Sequence, residues 1–142
     1  LAGKRAPQVK RAAAGLLALG GRRPGRLLRS VGPAEAYQLI CRLQGLGPKS
    51  ALCVIMYSLG ADVLPVDVNV QRVCERPGAI PAGLSHYQAQ RRLAAVAPVG
   101  RARQFHIGLV VHGRRVCVPG RPRCGGCRLR DICRTGRERE HG

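Results

Sequence analysis

Two groups of residues in this 142-residue chain are of types and spacings that could do chemistry. The first is a run of cysteines. Residues 117–133 read CVPGRPRCGGCRLRDIC, which spaces Cys117, Cys124, Cys127 and Cys133 as C-x6-C-x2-C-x5-C. Four thiolates this close in sequence can close around one compact centre. Zinc is a candidate, because four-cysteine zinc sites are common. Such sites usually bring two C-x2-C-like knuckles that lie well apart, and here one C-x2-C is flanked closely on both sides. A 4Fe–4S cluster, held by four cysteines in one cage, suits that packing better, with zinc as the alternative. A disulfide framework is not expected, since no secretory signal is visible and cytosolic thiols stay reduced. The second group centres on a lysine. Residues 45–54 read GLGPKSALCV. Proline is tolerated in a first helical turn, because the N–H it lacks would have no partner there. A helix therefore starts near Pro48 and sets Lys49 in its first turn. That end of a helix carries partial positive charge and disfavours an ammonium. The plain reading of a lysine there is a phosphate contact; a lysine nucleophile, by contrast, must be neutral, and this placement favours the neutral amine. Partial burial in a cleft would act in the same direction.

Helices must position these groups, since the apolar periodicity is helical and no alternating strand stands out. The pattern predicts helices over 6–19, 34–43, 48–59, 67–76, 84–96 and 101–112. A loop is expected over Gly20–Gly25, and stops at Gly60 and at Pro77-Gly78. The fold class expected is all-α, with a metal-type loop at the C-terminal end. The turn at Gly45 and Gly47 joins two apolar helices within the hairpin at about 36–58. Its amides, with the helix start at Lys49 and Ser50, form an anion site suited to a phosphate. The loop between the first two cysteines carries Arg121 and Arg123, pinned at both ends and able to meet phosphates. Cys41, Cys53 and Cys74 fall at apolar helical positions and read as small hydrophobes. His86, His106, His112 and His141 show no ligand spacing and are given no role.

Composition narrows the partner. The formal charge is +18, from 25 basic and 7 acidic residues, and only Lys4, Lys10 and Lys49 among the basic residues are lysines. So large a charge implies a polyanion, most often nucleic acid. Charge alone fits an RNA-coating protein as well as a DNA-binding one, but RNA coating explains neither the cysteine cage nor the lysine. No window approaches 18 consecutive apolar residues, and the expected location is the bacterial cytoplasm, on DNA. The chain starts at Leu1 and its one methionine is Met56, so it reads as a fragment or a product processed upstream.

The hairpin LICRLQGLGPKSALCVI (39–55), the later LPVDVNVQRV (64–73) and the cysteine tail occur in that order. Together they resemble the endonuclease III branch of the helix-hairpin-helix, Gly/Pro-Asp DNA glycosylase superfamily, over about residues 1–135. The resemblance implies a partial helical barrel at 1–66, a helical iron–sulfur domain at 67–135 and a polar tail at 136–142. It implies that Lys49 attacks C1′ of a damaged nucleotide, that Asp67 is the essential carboxylate, and that Cys117, Cys124, Cys127 and Cys133 hold the 4Fe–4S cluster. The expected activity is base-excision repair with AP lyase cleavage, by a monomer, on double-stranded DNA carrying a damaged base (an oxidised pyrimidine by default) or an abasic site. The alternative is a non-catalytic DNA-binding fragment. Asp67 follows Lys49 by 18 residues. The helix between them is about 18 Å long, and seven extended residues span about 23 Å, so the chain can bring Asp67 back to one cleft with Lys49. A plain N-cap is the simpler reading of Asp67, and the two roles are compatible. The sequence departs from the family pattern at Gln44, where proline is common, and at Val68-Asn69, where Thr-His is frequent. An asparagine there is similar to the plant 5-methylcytosine glycosylases. It also lacks the helices that precede this region in full family members.

Overall fold

The computed structural model describes residues 2–138, so positions 139–142 of the polar tail, with His141, lie outside the described residues. Among the described residues there are eight α-helices, two short 3-10 turns and no strand: α1 (Ala2–Gly20), α2 (Pro24–Ser30), α3 (Gly32–Cys41), α4 (Pro48–Leu59), α5 (Val68–Glu75), α6 (His86–Val96), α7 (Ala102–Arg115) and α8 (Arg134–Glu138). Among the described residues no helix is long and apolar enough to cross a membrane. The all-α expectation holds. Several local expectations change, among them the following. The first helix is longer and carries Pro7 inside it. A short helix, α2, occupies part of the loop expected after Gly20, and residues 134–138 are helical where the sequence reads only polar.

The chain forms two compact units, one up to Pro65 and one from Val66 onward. In the first, α1 packs on α2, α2 on α3, and α3 on α4. Ala36 and Ile40 of α3 and Ala51 and Ile55 of α4 stand at i, i+4 spacing, so each pair faces one way. With Leu28 of α2 they form the buried core. Pro48 opens α4, and Gly60, in the left-handed conformation (φ 74°), closes it as its C-cap.

In the second unit α5 packs on α7. Val70, Val73 and Cys74 of α5 repeat at i, i+3, i+4 and are all buried. Burial, and then the charge of Glu75, push the Cys74 thiol up to about 11, so it stays an inert hydrophobe. Cys41 and Cys53 are only half-buried. The α5–α7 contact is close enough to require glycine: a Cβ on Gly113 would stand 2.9 Å from Asn69 Cβ and 3.2 Å from Val73 Cγ2. Ser85 starts α6 through a reciprocal capping box with Gln88.

Candidate functional site

In the first unit the hairpin turn runs from Arg42 to Gly47, with Leu46 N–H donating to Leu43 O at 3.3 Å. Gly45 has φ +90°, and a Cβ there would meet the Gln8 carbonyl oxygen at 2.7 Å. Glycine is needed at Gly45 for both reasons. Gly47 is extended (φ −103°, ψ 177°) and serves as N-cap of α4, with no side-chain hydrogen bond to cap the helix. Backbone amides at the start of α4 are thus left for an outside acceptor. Lys49 stands in that first turn, and Ser50 beside it is half-buried. Lys49 itself is exposed, so the partial burial expected of it is not present. Gly45→Ala should cost about 2 kcal/mol or more, from the left-handed backbone and the clash with Gln8. Urea unfolding checks this, and a cost near zero would mean the turn tolerates a side chain.

In the second unit Asp67 is the N-cap of α5. Its Oδ1 accepts from the Asn69 amide at 2.9 Å and the Val70 amide at 2.8 Å, and its Oδ2 accepts from Asn69 Nδ2 at 3.2 Å. The capping role is therefore real, and three N–H donors fix the orientation of the carboxylate.

Cys117, Cys124, Cys127 and Cys133 line one small apolar cavity of about 20 Å³. Among the described residues no three histidine, cysteine or acidic side chains converge tightly enough to hold a single metal ion. Two arginines of α5 hold the start of the cysteine loop. Arg72 donates from Nε to Cys117 O at 2.8 Å and from Nη2 to Gly113 O at 2.7 Å and Asn69 Oδ1 at 3.0 Å. One turn further on, Arg76 donates from Nη1 to Cys117 Sγ at 3.1 Å and Val118 O at 2.9 Å. His112 of α7 also lines the cavity, with Nε2 3.7 Å from Cys127 Sγ. Sequence reasoning missed all three side chains. Their one available signal was their position on the inner turns of helices flanking the cysteines. The loop closes on itself where Arg123 N–H donates to Val116 O at 2.9 Å, and it turns at Gly120 (φ 68°). Pro122 is buried, while Arg121 and Arg123 on either side of it are exposed.

No protein-family model matches the chain. Over 91 residues, 64% of this chain, it is 35% identical to endonuclease III of Escherichia coli (strain K12). The chain spans 43% of the length of that relative. Among solved structures it resembles a thermostable thymine-DNA glycosylase, with a TM-score of 0.76 and 25% identity, covering 97% of this chain and 61% of the other. It also shares the fold of a trapped covalent endonuclease III–DNA intermediate, with a TM-score of 0.66 and 21% identity, covering 94% of this chain and 78% of the other.

Proposed function

We propose that the chain is a member of the endonuclease III branch of the helix-hairpin-helix DNA glycosylase superfamily, and that it is a base-excision repair glycosylase with AP lyase activity. Lys49 carries this reading. The chain has 22 arginines and three lysines. Arginine would serve better than lysine for a bare phosphate contact, since it offers a planar fork of donors. A guanidinium cannot form an imine, whereas an amine can. An exposed lysine at the start of α4, beside uncapped amides, therefore reads as a nucleophile held next to a phosphate site.

The course is as follows. The target nucleotide is flipped out of the duplex. Lys49 Nζ bonds to C1′ as the bond from C1′ to the base breaks, and the base leaves with the bonding electrons. The Asp67 carboxylate stabilises positive charge developing on the sugar. Held by three donors, it acts through its fixed charge more than as a proton acceptor. The sugar ring opens to a Schiff base, a proton leaves C2′, and the C3′–O bond breaks to release the 3′ strand. Asp67→Asn tests this directly. Asparagine caps helices about as well as aspartate, so stability should change by less than about 1 kcal/mol. Cleavage of duplexes with a damaged base should fall by at least about 100-fold. Full cleavage by Asp67→Asn would leave Asp67 a cap alone.

The donor set fits an iron–sulfur cluster. Four cysteines lining one cavity at C-x6-C-x2-C-x5-C spacing suit a cage of four thiolates around such a cluster, with zinc as the alternative. Cys117, Cys124, Cys127 and Cys133 would hold such a cluster, which would supply a cross-link that pins the loop. This chain's residues do the rest: Arg72 and Arg76 fix the loop's entry, and Arg121 and Arg123 present two cations to the phosphodiester backbone. The double change Arg121→Gln, Arg123→Gln should weaken binding to damaged and intact duplexes alike. It should flatten the slope of log affinity against log salt by about 0.9 per lost phosphate. A loss confined to one lesion would contradict a backbone role.

A further inference from the structure

The first unit carries a second basic surface that the hairpin reading does not use. Residues 20–30 read GGRRPGRLLRS, and no acidic residue occurs before Glu35. Arg23 is the N-cap of α2, and Arg26 and Arg29 follow at successive i, i+3 positions, so the three form one stripe along a seven-residue helix. Arg22 stands beside them on the turn made by Gly21 (φ 58°). All four side chains are exposed, while Leu28 on the opposite side is buried in the core. The Arg29 guanidinium lies back over Gly25, 3.6 Å from where a Cβ would stand. None of the four arginines has a carboxylate partner among the described residues. Like charges at this spacing destabilise a helix, so the protein alone gains nothing from the stripe.

We infer that Arg22, Arg23, Arg26 and Arg29 form a second phosphate-contact surface for duplex DNA, apart from the hairpin turn. The inference rests on the repair reading above. The spacing supports it. The stripe ends at Ser30, just before α3, and the hairpin turn begins just after α3 ends. Ten residues of α3 separate them by about 15 Å. That is about four steps of a DNA strand at 3.4 Å per phosphate. One duplex lying along α3 is therefore long enough to reach both the hairpin and the stripe, with the stripe adding affinity without sequence preference.

Binding of the full chain to an abasic-site duplex and to single-stranded RNA, measured across a salt series, tests this. The quadruple Arg→Gln variant should reduce the log–log salt slope by about 2 to 3.6 and weaken duplex binding at least about 10-fold. The quadruple Arg→Lys variant should restore most of both. Arg91→Gln, Arg92→Gln on the exposed face of α6 provides a comparison for loss of charge as such, and its effect per charge should be less than half as large. Helicity by circular dichroism confirms that each variant folds, and the pairs Arg22→Gln, Arg23→Gln and Arg26→Gln, Arg29→Gln should each show part of the loss. Duplex binding with an unchanged slope in the quadruple variant overturns the stripe and leaves the repair reading standing, as does an equal effect per charge from α6. Stripe-dependent binding of RNA alone assigns the surface to a different polyanion and overturns the inference. If the wild-type chain binds no duplex at all, the repair reading itself fails.

Discussion

Replacing Lys49 with glutamine should abolish the covalent adduct that borohydride traps between this chain and an abasic-site duplex, a loss of at least about 100-fold in yield. The amine is the atom that bonds to C1′, so no neighbour can stand in for it. Lys49→Arg separates the two jobs the position could do. The guanidinium keeps the charge and can meet a phosphate, so binding should stay within a few-fold of wild type while the adduct disappears. Equal adduct from wild type and Lys49→Gln would move the chemistry to another amine, such as Lys4 or Lys10. A wild-type chain that binds the duplex tightly yet yields no adduct would favour the non-catalytic DNA-binding alternative.

The second large effect is structural. Arg72→Ala should destabilise the unit that begins at Val66 by about 3–5 kcal/mol. The guanidinium serves four acceptors: the carbonyls of Cys117, Gly113 and Val68, and the Asn69 side chain. Three of these bonds are partly buried. Removing the donor leaves their acceptors with desolvation costs of about 1–3 kcal/mol each. Arg72→Lys should recover less than half of the loss, because one ammonium cannot reach carbonyls from two different segments in the geometry of a planar fork. Urea unfolding followed by circular dichroism measures both variants. A shift below about 1 kcal/mol for Arg72→Ala would show that water replaces the guanidinium freely.

Much of the architecture could be read from the amino acids because its boundaries are punctuated locally. Pro48 and Gly60 bracket α4, and Asp67 with Pro77-Gly78 bracket α5, and in each case the signal lies within one turn of the boundary it sets. The same reasoning passed over α2. Its glycines, proline and arginines look like loop, and Leu28 is its only fully buried anchor, so tertiary packing holds a segment that propensity would not. The apolar pattern places the start of α6 two residues early, at Leu84, because the pattern does not show that Ser85 carries the cap.

The site divided along the same line. Cysteine spacing and the lysine after a Gly-Leu-Gly turn are contiguous patterns. The contacts made by Arg72 and Arg76 span 41 to 45 residues of chain. A long flexible side chain that reaches a distant carbonyl leaves no periodic trace. The exposure of Lys49 was equally illegible, since burial depends on what the rest of the fold lays over a helix end.

The short helix α8 has a consequence for how the sulfurs are enclosed. Thr135 and Gly136 form part of the wall around the four cysteines. Thr135 N–H and Oγ1 both reach Arg76 O, at 3.4 and 3.5 Å. Gly136 is pressed so close to the second 3-10 turn that a methyl group would meet Arg130 O at 2.7 Å. A chain cut after Cys133 would retain every thiol and yet lose Thr135 and Gly136 from the wall around them. Part of the enclosure of the sulfurs therefore comes from residues that carry none.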